Sequence, residues 1–217
     1  MEKIEFSYNI PTSKKDIILE DWMKFEKIVS QEDVEEDFIQ KKMLEIFCGV
    51  PNEYSTKLKQ VQVDEILYHL NLVLGSKPEL TKTFTFNGKK YALIPDFEND
   101  ITAGELIDLD RYLEDKDYSR LLSILYRPIS FEKSGLYQIE PYSGTHTDFL
   151  KLSYDIFEGV LSFFLTLYEK LAQVTLKYTL NQVKKLKMKD TDYQEKVNLL
   201  KNGELILKSF GFYQMGM

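Results

Sequence analysis

Apolar and polar residues alternate from Ile4 to Asn9, with Ile4, Phe6 and Tyr8 set against Glu5, Ser7 and Asn9. A period of two predicts a short half-buried strand, closed by Ile10-Pro11. From Ile17 the period lengthens, and Ile18, Trp22, Phe25, Ile28 and Val29 fall on one face of a helix. Asp16, Glu20 and Asp21 lie near its start, where the helix dipole favours negative charge. Trp22 is the expected core anchor. The acidic run Asp33–Asp37 leads into a second helix bearing Phe38, Met43, Leu44, Ile46 and Phe47, which stops at Gly49-Val50-Pro51. A third helix, Val63–Leu74, turns Ile66, Leu67, Leu70 and Leu74 inward and ends at Gly75 and Pro78.

The clearest local signals come next. Lys82–Phe86 and Lys89–Ile94 flank Asn87-Gly88, whose tolerance of positive φ predicts a β-hairpin with a type I′ turn. Thr102-Ala103-Gly104-Glu105 has the spacing of a capping box, so a helix is predicted from about Ala103, with Leu106, Leu109, Tyr112 and Leu113 on its apolar side. A further helix over Asp117–Tyr126 should halt at Arg127-Pro128, because proline disfavours helical geometry in the residue before it. Phe131–Thr147, with Gly135, Pro141 and Gly144, reads as an irregular loop exposing Tyr137 and Tyr142. From Asp148 to about Lys187, apolar residues recur at three- and four-residue steps and predict one long helix or two joined ones. A last helix is predicted from about Tyr193 to Phe210, followed by an apolar tail that includes Phe212 and Tyr213.

The two halves echo each other. Displaced by 84 positions, Ile10-Pro11 falls on Ile94-Pro95, Asp16-Ile17 on Asp100-Ile101, Phe25 on Leu109 and Lys27 on Arg111. The pattern implies a mainly α fold with a small β-hairpin, built from a duplicated β-then-helices unit and closing on long C-terminal helices. The first copy would span residues 1–78. The second, 79–217, would carry the inserted loop 129–147 and a C-terminal helical extension, all packed as one globular unit. Chance likeness between amphipathic helices is the competing explanation of the echo.

Composition narrows the chemistry. With 43% hydrophobic and 13% aromatic residues, the 217-residue chain can bury a core. Its net charge of −7 opposes a general affinity for nucleic acid. The cluster Lys184, Lys185, Lys187 and Lys189 complements a helix C-terminus and lacks the interleaved aromatics of a nucleic-acid site. A lone cysteine, Cys48, excludes an internal disulfide and suits a small buried hydrophobe in a reducing compartment. The first residues lack the apolar core of a secretory signal, and Val160–Tyr168 is too short for a membrane span.

No phosphate loop or dinucleotide fingerprint is present, and Asn87-Gly88-Lys89-Lys90 fits a hairpin tip. His69 and His146 read as structural histidines, one on a helix and one in a polar loop. Asp96–Asp100 opens like a calcium loop, but Ile101 and Ile107 occupy positions that need glycine and carboxylate. Glu105, Asp108 and Asp110 are explained by capping and solvation. These readings predict a protein without catalytic residues, cofactor or metal.

The series Phe86–Tyr91, Ile101–Leu109 and Leu122–Pro128 resembles small helical proteins of tailed-phage structural and tail-assembly modules, over about residues 84–129. The resemblance implies a non-enzymatic assembly protein of the tail-assembly-chaperone type, acting in the host cytoplasm or carried in the virion. Its implied partners are other phage structural or tail proteins, with no membrane role and self-association left open. Tyr137, Tyr142, Phe210, Phe212 and Tyr213 are the expected protein contacts. A connector or ring component of the virion is the alternative, and a small nucleic-acid-binding regulator the third reading.

Overall fold

The structure, a computed structural model, describes residues 7–166, apart from the side chains of Glu98 and Asn99. The chain forms two compact units, Met1–Gly159 and Val160–Met217. Phe210, Phe212, Tyr213 and the helices expected beyond residue 166 lie outside the described residues.

The first unit begins with local polar closure. The Asp16 carboxylate accepts from the Thr12 hydroxyl at 2.8 Å and from the amides of Thr12 and Ser13 at 2.9 and 3.0 Å, fixing a 3-10 turn over Lys14–Asp16. These bonds, the Thr12 hydroxyl first, hold its carboxyl below the usual range. Helix α1 follows at Leu19–Val29, α2 at Glu36–Cys48, α3 at Asn52–Ser55 and α4 at Gln60–Leu74. Gly49 ends α2 at a φ of +69°, a left-handed cap that glycine adopts without a Cβ penalty. Trp22 is buried, as its helical spacing predicts, with its ring stacked 4.2 Å from Tyr154, and Phe25 meets the edge of Phe47 at 5.1 Å. Residues 7–10 form no strand, so the described part of the expected N-terminal strand is absent, although the Asn9 amide donates to the Cys48 carbonyl at 3.1 Å.

The largest departure from the sequence reading is the sheet. Strands β1 (Thr83–Phe86) and β2 (Lys89–Leu93) form the predicted hairpin, with Asn87 and Gly88 at φ of 49° and 76°. After α5 (Phe97–Asp100), α6 (Ala103–Glu114) and α7 (Tyr118–Leu125), the chain enters β3 (Tyr126–Lys133) and β4 (Leu136–Ile139). All four strands join in one antiparallel sheet of order β1-β2-β3-β4. The architecture is therefore mixed α and β, where the hydrophobic pattern predicted a mainly α fold with one hairpin. Much of the supposed loop 129–147 is a second hairpin. Ser134-Gly135 makes its turn at φ of 54° and 79°, close to the angles at Asn87-Gly88.

Phe149 explains why this sheet is stable. It is fully buried, with its ring 5.2 to 5.8 Å from those of Phe84, Phe86 and Tyr91. Burying such a side chain stabilises the fold by about 2–3 kcal/mol. The backbone beside it also departs from prediction, because residues 150–152 form a turn and a bend, closed by the Leu152 amide on the Phe149 carbonyl at 2.8 Å, and a helix (α8, described over residues 154–166) begins only at 154. Residues 150–154 pair instead with the entry to α1: the Leu19 and Glu20 amides donate to the Leu152 and Leu150 carbonyls at 2.8 and 2.9 Å. Tyr154 N–H returns a bond to the Ile17 carbonyl at 2.8 Å. These donors, which a helix start leaves without intrahelical partners, are thereby satisfied, at the cost of the helix expected from Asp148.

Two contacts fix the first turns of α8, residues 154–159, in the first unit. Buried Lys14 donates to Glu158 Oε2 at 2.5 Å and to the Ser76 carbonyl at 2.6 Å. Burial pushes the Glu158 carboxyl up, while Lys14 acts in the opposite direction. At the next residue, Gly159 lies so close to the backbone at Glu79 that a Cβ would stand 2.1 Å from its carbonyl oxygen. Alanine at an ordinary helix position stabilises by about 1 kcal/mol relative to glycine. Here the sign should reverse: Gly159→Ala should cost roughly 1–3 kcal/mol through overpacking. Urea denaturation checks this, and an unchanged or raised midpoint would count against the close approach.

Candidate functional site

The densest polar cluster lies where α6, α7 and β3 meet the segment after β4. Its foundation is the start of α6. Thr102 Oγ1 accepts from the Glu105 amide at 3.3 Å and Glu105 Oε2 accepts from the Thr102 amide at 2.6 Å, completing the capping box. Glu105 does more than cap. It is 2% exposed, and its other oxygen lies 2.5 Å from Nη2 of Arg127, itself 7% exposed on β3. The contact is an ion pair without the alignment of a hydrogen bond at Nη2, while Arg127 Nε donates to the Ile124 carbonyl at 3.1 Å.

The loop between α6 and α7 orients the rest. Lys116 adopts a φ of 55°, and the Asp117 amide closes back on the Tyr112 carbonyl at 2.8 Å, so α6 ends in a left-handed cap. Asp117 then caps α7 by accepting from the Arg120 amide at 3.1 Å. This turn brings Arg111 and Arg120 to the same ring: their guanidinium carbons sit 4.8 and 5.7 Å from the centre of Tyr112. Arg127 lies 6.0 Å from the ring centre of Tyr142. The chain contains only these three arginines.

Residues 140–149 cross this surface as a strap fastened by side chains. Glu140 N–H bonds the Pro128 carbonyl at 2.9 Å, and Tyr142 donates to Asp108 Oδ2 on α6 at 3.1 Å. His146 bonds the Tyr112 hydroxyl through Nε2 at 3.1 Å and Ser123 Oγ through Nδ1 at 2.9 Å. Ser119 Oγ is 3.4 Å from Asp148 and accepts from the Phe149 amide at 2.8 Å. The strap thus leads directly into the Phe149 core.

The network also fixes how Ser123 meets the histidine. Ser123 gives its only proton to the Arg120 carbonyl at 2.7 Å, so it must accept from His146 Nδ1–H. Nε2 lies 3.1 Å from the Tyr112 hydroxyl, whose oxygen in turn accepts from Arg111 at 2.9 Å. In this arrangement the imidazole holds Ser123 and takes no proton from it. The pattern fits the structural role expected of His146. Among the described residues, no group of three or more His, Cys, Asp or Glu side chains is placed to hold a metal ion. Burial pushes the Cys48 thiol up to about 11, which keeps it protonated at neutral pH.

The predicted contact residues occupy different settings. Tyr137, on β4, is half-buried and donates to the Leu93 carbonyl at 3.0 Å. Tyr142 is half-buried in the strap, so neither hydroxyl is the free exposed group that a loop reading implied. Sequence reasoning took Glu105 as a cap, Tyr112 as an apolar helix position and Arg127 as a helix stop. It missed their convergence, although the confinement of every arginine to residues 111–127 was a signal available to it.

Burial, followed by the bond to Asp108, pushes the Tyr142 hydroxyl from the ordinary 10.0 up to about 12. A raised folded-state value means that this group contributes stability below pH 10, lost as the pH climbs towards 12. The phenolate absorbance difference between wild type and Tyr142→Phe should therefore titrate near 12, and a difference titrating at 10 would contradict the fastening. No family model, curated protein or solved structure matches this chain.

Proposed function

We propose that this chain is a non-enzymatic assembly protein of a tailed phage, of the tail-assembly-chaperone type, that binds other phage structural proteins. The observation that supports binding is the set of large apolar side chains held in water on regular elements. On α4, Ile66, Leu67 and Leu70 face the core while Val61, Tyr68 and Leu72 recur seven and four residues apart on the outer side. On the second hairpin Phe131 is 55% and Leu136 77% exposed. Exposed apolar residues grouped on one face favour association, since covering each removes apolar surface from water.

The phage context rests on the likeness of residues 84–129 to tail-assembly proteins. The strap supports a binding role over a chemical one, because its His146 is engaged with Tyr112 on α6 and Ser123 on α7, and its Tyr142 with Asp108 on α6. Among the described residues no helix is long and apolar enough to cross a membrane.

Affinity purification of the tagged chain from infected cells should recover a phage structural protein. The Tyr68→Ser, Leu72→Ser double variant should recover about tenfold less, the effect of removing two contacts of intermediate strength. Absence of any phage protein, whether free or in particles, would overturn the proposal.

A further inference from the structure

The second hairpin carries an interaction surface more specific than exposed apolar area. Among the described residues β4 is an edge strand of the sheet. The Glu140 amide bonds the Pro128 carbonyl, and the Gln138 carbonyl accepts from Ser130 Oγ at 3.2 Å, so these two residues turn their main-chain groups towards β3. By alternation, the amides and carbonyls of Tyr137 and Ile139 point to the open edge. The register pairs Phe131 with Gln138 and Lys133 with Leu136, which places Phe131 and Leu136 diagonally on one face. Lys133, exposed on that face, stands beside Leu136.

Charge distinguishes this corner from the rest of the molecule. Lys89, Lys90 and Lys133 are exposed at the end of the sheet where both hairpins turn, against Glu132, and Glu132 is already paired with Lys90 at 2.6 Å. A net positive sheet end thus sits on a protein of charge −7. An edge strand offers main-chain hydrogen bonds to an added strand, and its neighbouring side chains select the sequence.

We propose that the β4 edge takes up an extended segment of a partner protein, with apolar residues over Phe131 and Leu136 and acidic residues beside Lys133. This rests on the protein-binding reading above and specifies where the partner docks and what chemistry it presents. Main-chain pairing supplies the affinity, the apolar pair sets the register, and Lys133 selects acidic over basic segments.

The probes are two capped peptides of opposite order, Asp-Glu-Val-Thr-Val and Val-Thr-Val-Glu-Asp, titrated into the isotope-labelled full-length chain and followed by amide NMR. One of them should shift the Tyr137 and Ile139 amides saturably. Lysine counterparts, and the Lys133→Glu variant with the acidic peptides, should bind about tenfold more weakly. Ile139→Pro removes an outward-facing donor, a change that edge strands tolerate, and should abolish binding while leaving β1 and β2 shifts unchanged.

Four results would overturn the proposal: no shift on β4, equal binding of the lysine peptides, the same shifts produced by single-stranded DNA, or Tyr137 and Ile139 amides already protected from exchange in the free chain. The last would mean that another segment or a second copy occupies the edge. Undiminished recovery of phage proteins by Ile139→Pro would refute this edge as the docking site and leave the protein-binding reading standing. Failure of wild type to recover any would strike at that reading instead, whatever the peptides do.

Discussion

A carboxylate and a guanidinium buried together at the junction of α6 and β3 constrain this half of the molecule. Both Glu105 and Arg127 are buried, and removal of either partner leaves the other as an uncompensated charge in the interior. The pair need not outweigh a hydrophobic pair of the same shape to matter. Once both charges are present, only a packing that brings them together is acceptable. That requirement locks the first turn of α6 against β3 and so fixes where the capping box sits. Tyr142 then covers Arg127 while its hydroxyl returns to Asp108, one helical turn beyond Glu105.

From this point the structure divides into a closed end and an open one. At the closed end, the strap joins α6 and α7 through His146 and delivers Phe149 to the aromatic face of the sheet. Hydrogen bonds among the polar groups there tie the strap to α6 and α7. At the open end, the second hairpin extends beyond the last β2–β3 pair, and its outer face carries Phe131 and Leu136 in water. The division agrees with the association role proposed for the chain: the rigid part positions the hairpin, and the hairpin presents the contacts.

Elements whose signals are local could be read directly from the residues. Asn87-Gly88 identified the first hairpin because both residues tolerate positive φ, and Thr102 with Glu105 identified the start of α6 because the box is complete within four residues. The helical face of Trp22 and Phe25 was equally visible. The second hairpin was obscured for physical reasons. Pro128 and the buried charge of Arg127 interrupt the expected strand pattern, and a register irregularity between Ile129 and Phe131 disturbs its period. Ser134 takes the left-handed position that asparagine fills in the first turn. Residues 148–153 misled in the opposite direction, since Phe149 and Leu152 have helical spacing but sit in a non-helical turn whose carbonyls and bridge pair with the start of α1. The polar cluster depends on contacts between residues distant in sequence, such as Ser123 with His146, and no local pattern encodes them.

A double-mutant cycle on the buried pair tests most directly whether this constraint organises the fold. Glu105→Gln retains the capping geometry while removing the charge, and Arg127→Met removes the guanidinium while keeping much of its apolar stem. Each single substitution is predicted to lower unfolding free energy by about 3–5 kcal/mol, because it strands the opposite charge or its polar partner in the interior. The double variant should lose at least about 1 kcal/mol less than the two single losses combined. Additive losses, agreeing within about 0.5 kcal/mol, would contradict the central place given to this pair.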